Sequence, residues 1–276
     1  MKSLLLKSLA VLLVLGFTKP EEVQQFQGKA VYFSKATLEL GRFGARMSEA
    51  QKKQIKARLK NRLEKEYVLN FNKKESFFEE EEKIDAISGA TDSWGKNFSQ
   101  GDQYKNIQDN ELIQSQEFYG KRFLVKDQLQ KITWKIEKES KKIGNYLCFK
   151  ATASIPTNEL TWYDFSWNDL RKAEVKKDSL GNDIQPEIEM TKVEAWYTPQ
   201  IPVSHGPGEY WGLPGLILEV SAGNRVMLCS KVIINPKEKI EIEAPDKGKE
   251  ITKLAYQEVI REKMIEMRNN RGRRIR

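Results

Sequence analysis

Tyr67-Val-Leu-Asn-Phe-Asn-Lys-Lys-Glu-Ser-Phe-Phe-Glu-Glu80 carries the pattern that decides the fold. Large apolar residues alternate with polar ones through Asn72, and the chain then turns at Asn72-Lys73-Lys74. The strand pattern resumes from Glu75. A period of two with one apolar face is the mark of a half-buried β-strand. Two such runs joined by a short polar turn make a hairpin.

Working outward, the same pattern recurs on both sides. Strands are predicted at Gly28–Phe33, Gln103–Gln108, Glu111–Phe118, Arg122–Lys126, Trp134–Glu137 and Tyr146–Ala153. Further strands are predicted at Val193–Tyr197, Leu216–Val220 and Val226–Ile234, with a last edge strand at Ile240–Glu243. Asp109-Asn110, Gly120-Lys121 and Ala222-Gly223-Asn224 supply hairpin turns. Residues 84–99 lack a period and read as a loop. Short strands at short spacing predict an antiparallel meander rather than a parallel α/β sheet. The expected fold class is therefore mainly β: a curved antiparallel sheet or half-open barrel with flanking helices.

Two helices are predicted. Ser48 followed three residues later by Gln51 has the form of a capping box and opens a basic helix near 48–65. A second helix is expected near 250–268, with Leu254, Ile260, Met264 and Met267 on its apolar face. Residues 156–190 are polar and interrupt two strong strands, so they read as an insertion or long excursion from a single β domain spanning 21–268. Within them, Trp162-Tyr163-Asp164-Phe165-Ser166-Trp167 is expected to pack locally, with a stacking platform for sugar or a lipid tail as the alternative.

The first 20 residues have the basic start and short apolar core, Leu9 to Phe17, of a secretory signal peptide. The core is about half the length a spanning helix needs. The expected location is the periplasm or the cell surface, with no membrane span after cleavage. Of 47 cations, Lys2, Lys7 and Lys19 fall in the leader, and Arg268, Arg271, Arg273, Arg274 and Arg276 fall at or in the basic tail, 269–276. The other 39 balance 39 acids, which excludes a broad basic face for nucleic acid. Cys148 and Cys229 each sit in an apolar strand and read as buried free thiols; a disulfide between them is the alternative.

One segment breaks the strand pattern. Between Thr198 and Leu216 stand four prolines and four glycines, too many for a regular ladder. Pro214-Gly215 has the turn-specifying order, and Leu216-Ile217-Leu218 re-enters the sheet directly. The picture is a rigid loop crossing one mouth of the sheet, pinned by Trp196, Tyr197, Tyr210 and Trp211.

Gly212-Leu213-Pro214-Gly215-Leu216-Ile217 is the signature that names the GLPGLI family, and the sequence resembles that family over roughly 28–268. Ala195-Trp196-Tyr197-Thr198, Ile201-Pro202, Gly206-Pro207, Trp134-Lys135-Ile136, the run from Lys142 to Ala151 and that from Tyr67 to Phe78 also match. The resemblance implies a signal-bearing envelope protein of Gram-negative bacteria, in a family whose function is uncharacterised. It brings no catalytic residues. By analogy it suggests a fold related to the half-open barrels of lipoprotein carriers.

Nothing assembles into a catalytic or metal set. His205 is the sole histidine, and no nucleophile elbow or phosphate loop is present. The chain is expected to be no enzyme and to need no cofactor. The leading expectation is a binding module for a lipid-like apolar ligand or a protein segment, with a pocket near Trp196, Tyr197, His205, Tyr210 and Trp211. The alternative is an envelope assembly protein docking on an outer-membrane partner through sheet edges or the terminal helix. An unrecognised enzyme using His205 is the third reading.

Overall fold

The computed structural model describes residues 26–38, 44–81, 97–167, 170–171, 176–177, 183–184 and 188–271. The leader, most of the 84–99 loop and the end of the basic tail lie outside the described residues.

Fourteen strands occur among the described residues, and twelve of them form one sheet. They are β1 (Gln27–Ala36), β2 (Glu64–Asn72), β3 (Glu75–Glu80), β4 (Gln103–Asn106), β5 (Glu111–Phe118), β6 (Lys121–Gln128), β7 (Lys135–Ile143), β8 (Tyr146–Pro156), β11 (Met190–Thr198), β12 (Leu216–Ala222), β13 (Arg225–Ile234) and β14 (Lys249–Ile251). The remaining two, β9 (Lys176–Lys177) and β10 (Asp183–Ile184), pair only with each other. The order in the large sheet is β14-β6-β5-β4-β3-β2-β1-β13-β12-β11-β8-β7. Every neighbouring pair is antiparallel except β14 with β6. The sheet is curved and unclosed, and the protein is mainly β, as the alternation predicts.

β1 sits at the centre and shows why the pattern works. Gly28, Ala30, Tyr32, Ser34 and Ala36 are buried, and the residues between them are not. From β6 the chain crosses by residues 129–134 to the opposite edge, where β7 begins. β8 and β11 pair from Met190↔Pro156 inward, and Thr157 N–H donates to Glu189 C=O at 2.8 Å. The 157–189 segment thus leaves and rejoins the sheet at one point, between the two strands of a hairpin.

Four helices have bounds among the described residues: α1 (Glu49–Arg58), α2 (Lys60–Leu63), α3 (Thr157–Leu160) and α4 (Lys253–Arg271). The capping box is formed: Ser48 Oγ accepts from Gln51 N–H at 3.3 Å, and Gln51 Oε1 accepts from Ser48 N–H at 2.9 Å. The predicted helix over 48–65 breaks at Leu59 and gives way to β2 at Glu64. α4 begins at Lys253 rather than Glu250, because Lys249–Ile251 pairs with β6 first and the Thr252 side chain accepts from Ala255 N–H. Tyr256, Ile260 and Met264 are buried against Phe118, Phe123 and Val125 of the sheet.

Three local readings are corrected. Ile240–Glu243 is not a strand. Gln27 holds that stretch by its side chain, accepting from Ile240 N–H and donating to Glu238 C=O, and Ile242 packs on Tyr104, Ile113 and Leu124. The turn after β5 is Tyr119-Gly120, both with positive φ, one residue earlier than expected. β4 stops at Asn106, whose side chain accepts from Gln108 and Asp109 N–H and builds a four-residue turn.

Candidate functional site

The loop from Pro199 to Gly215 closes on itself and on the sheet through backbone bonds. Gly212 N–H donates to Ser204 C=O, Leu216 N–H to Ile201 C=O and Ile217 N–H to His205 C=O, each at 3.0 Å. Gly215 N–H donates to Leu213 C=O at 2.8 Å, so the chain turns across Pro214 in three residues rather than in the four-residue turn expected. Gly215 is required by crowding. A Cβ there would lie 2.2 Å from Thr198 O and 2.5 Å from Thr198 C. Ile201, Val203, Leu213, Leu216 and Ile217 are buried and join the main core with Tyr32, Leu69, Phe71 and Phe78.

The aromatic pins are divided. Trp211 Nε1–H donates to Gln130 C=O and Trp134 Nε1–H to Trp211 C=O, both at 2.8 Å, which ties the loop to the crossing segment. Trp196 takes no part in this. It follows Ala195 on β11 and so points to the opposite face, where Lys141 Nζ lies 4.2 Å from its ring centre. Tyr197 is buried with its ring 6.3 Å from that of Phe149.

Beneath the loop stands a residue that the alternation did not single out. Lys105 of β4 is fully buried, and its Nζ donates to the carbonyls of Gly206 (2.9 Å), Gly208 (2.5 Å) and Tyr210 (3.4 Å). Burial pushes the ammonium down to about 7, and the Glu209 carboxylate works in the other direction. Three carbonyls can only accept, so they match the three donors of an ammonium. Lys105 is therefore an internal strut between sheet and loop.

His205 is also fully buried, with its ring 6.4 Å from that of Phe71. Burial and the neighbouring Lys105 charge hold it down to about 3, so it is neutral at pH 7. Neither ring nitrogen has a side-chain or backbone partner of good geometry, although the Asn72 backbone lies close enough to temper the shift. The ordinary value for the unfolded chain is about 6.5. Between the two values the folded state binds fewer protons, so stability must fall as pH drops below about 6.5. His205→Leu is expected to stay within about 1 kcal/mol of the parent at pH 7. At pH 4.5 it should be more stable than the parent by on the order of 2 kcal/mol, read from urea midpoints at the two pH values.

Next to the strut the inner face stays open. A hollow of about 290 Å³ lies between the β12–β13 hairpin, the 157–164 segment and residues 208–210. Val220, Met227 and Leu160 give it apolar walls, and Tyr163, Tyr210 and Arg225 give it polar ones. Burial pushes the Tyr163 hydroxyl up to about 12 and Tyr210 higher still. Glu209 lines the mouth but is already committed: it accepts from Trp162 Nε1 and pairs with Lys253 of α4. Trp162 is buried with its ring 5.7 Å from that of Tyr256, so the 162–167 cluster serves the helix packing as well as its own.

Of the five residues expected at a pocket, only Tyr210 lines this hollow; Trp196, Tyr197, His205 and Trp211 do not, whereas Tyr163 and Asp164 of the 162–167 cluster do. Lys105, Glu209 and Arg225 were missed. Cys148 and Cys229 are both free and buried, and burial pushes their thiols up to about 11 and about 12. Among the described residues no cluster of histidine, cysteine and carboxylate side chains could hold a metal. No helix there is long and apolar enough to cross a membrane.

Comparison with solved structures aligns the chain with two crystal forms of one protein, titled "Structure of PNGF-II in C2 space group" and "Structure of PNGF-II in P21 space group". Both share 16% identity, with TM-scores of 0.46 and 0.45 over 85% and 84% of this chain. The chain spans 32% of the length of each. No curated protein matches. Residues 134–219, from the start of the β7 edge through the hexapeptide into β12, match the model of a family described as "Protein of unknown function (Porph_ging)". Over that stretch the chain is similar to a protein family whose function is unknown.

Proposed function

We propose that the chain is an exported binding module of the GLPGLI type, periplasmic or displayed on the cell surface, holding an apolar ligand or a protein segment in the hollow beside Tyr210. One observation carries this reading. The inner face is filled under the hexapeptide loop by Lys105, His205, Phe71 and Ile217, yet stays open between Val220, Met227 and Tyr163. Pockets of a few hundred Å³ with apolar walls and a few polar groups are the usual form of small-ligand sites. The loop is then the scaffold of the site and not its lid. The leader-like start supports export.

The neutral dye N-phenyl-1-naphthylamine tests this. It should bind the wild type saturably, one per chain. Ala222→Phe or Thr161→Trp, each at the hollow's lining, should weaken binding at least tenfold while the melting temperature holds. Equal dye binding in both filled variants would overturn the reading.

The rival is an assembly protein docking on an outer-membrane partner. Its support is β7, an edge strand that pairs on one side only. That edge carries Lys135, Lys138, Lys141 and Lys142, the charges that discourage strand addition. α4 spends Tyr256, Ile260 and Met264 on the sheet, whereas Leu254, expected on the same face, is exposed and is the large apolar side chain the helix offers a partner. A crosslinked protein partner that survives the filled-hollow variants would favour the rival.

A further inference from the structure

The character of the hollow's ligand follows from Arg225. This residue opens β13, lines the hollow, and its side chain has one partner among the described residues, with Nη1–H donating to the buried Ser34 Oγ at 3.1 Å. No carboxylate pairs with it among the described residues. A guanidinium has five donors, so four N–H groups lack an acceptor among the described residues. Its charge is felt inside the fold, since it draws down the hydroxyls of Tyr67, Tyr163 and Tyr210 against the larger effect of burial.

The two acids nearby do not serve it. Glu209 is held by Lys253 and Trp162, and Asp164 Oδ1 accepts from Phe165 N–H. Tyr163 and Tyr210 have no hydrogen bond from their hydroxyls to the described residues. The hollow is therefore lined by a forked cation, two hydroxyls without a partner among the described residues, and the apolar side chains of Val220, Met227 and Leu160.

We infer that the ligand is a small organic anion: a carboxylate, or a group of like charge, on a flat or apolar body. The anionic group sits on the Arg225 fork, where two parallel N–H···O bonds match a carboxylate. The body lies against Val220, Met227 and Leu160, between the rings of Tyr163 and Tyr210. This rests on the binding reading above and narrows it. The choice of an anion comes from the guanidinium alone, since the walls would take a neutral body equally well.

The matched pair 2-naphthoate and 2-naphthamide separates charge from shape, each competing with bound N-phenyl-1-naphthylamine. The anion should displace the dye at a concentration at least tenfold below that of the amide. Arg225→Met should abolish the difference, weakening the anion much more than the amide. Arg225→Lys, which keeps the charge without the fork, should fall between them and guards against a folding defect. Equal displacement by both compounds, or a preference that survives Arg225→Met, would overturn the anion while the binding reading stands. Failure of the dye to bind saturably in the wild type would overturn both.

Discussion

Lys105→Met is expected to cost about 3 kcal/mol, because it leaves three carbonyl acceptors without their donor. Met matches the stem in length and fills the same space, so the loss isolates the ammonium. Two effects oppose each other. Removing a buried charge recovers its desolvation cost, which is why the group is held down to about 7. Against this, the carbonyls of Gly206, Gly208 and Tyr210 lose their donor, and none of them accepts a loop backbone N–H among the described residues. Each orphaned acceptor costs about 1–3 kcal/mol, so three outweigh the recovery. Urea unfolding at pH 6 should give the full loss. A change below 1 kcal/mol would mean that water replaces the strut at no cost.

The second large effect is expected at Gly215. Gly215→Ala sets a methyl group 2.2 Å from Thr198 O and 2.8 Å from Pro199 N. Both are backbone atoms, so no side chain can swing away, and either β11 or the loop must move. A loss above about 3 kcal/mol, or failure to accumulate folded protein, is the expected outcome. Gly223→Ala is the control. Gly223 has a φ of +56° with nothing within 4 Å, so it reports backbone conformation alone, about 1 kcal/mol. Equal losses at the two positions would deny that close approach is what the hexapeptide needs.

The sheet was legible because most strands bury one face. β1 was legible as a strand from its β-branched and aromatic residues, but its inward face was not, since Ala30 to Phe33 are all apolar and it is Ser34 that is buried and Phe33 that is exposed. Alternation does not report whether a partner strand is present. Ile240–Glu243 alternates equally well but finds only the Gln27 side chain, while the unpatterned Lys249–Ile251 finds β6.

The site was hidden for a related reason. In β4 both faces are buried: Tyr104 joins Ile113 and Leu124 on one, and Gln103 and Lys105 lie fully buried on the other. The rule of apolar inward and polar outward therefore points β4 the wrong way. Arg225 reads as an ordinary hairpin flank, and nothing in one sequence brings it to Tyr163 and Tyr210, 62 and 15 positions away. The hexapeptide drew attention because its prolines and glycines are conspicuous, yet its neighbour across the strut is where the inner face stays open.

The loop ending in Gly212–Ile217 is part of the core and frames the hollow. Native-state hydrogen exchange at the amides of Gly212, Leu216 and Ile217 tests it most directly, since each donates a backbone bond that closes the loop. These three amides should exchange only by global unfolding, with opening free energies equal to those of the β1 core and shifting with urea in parallel. Exchange several kcal/mol easier than β1, and insensitive to urea, would show a segment that opens on its own and would make the loop a lid.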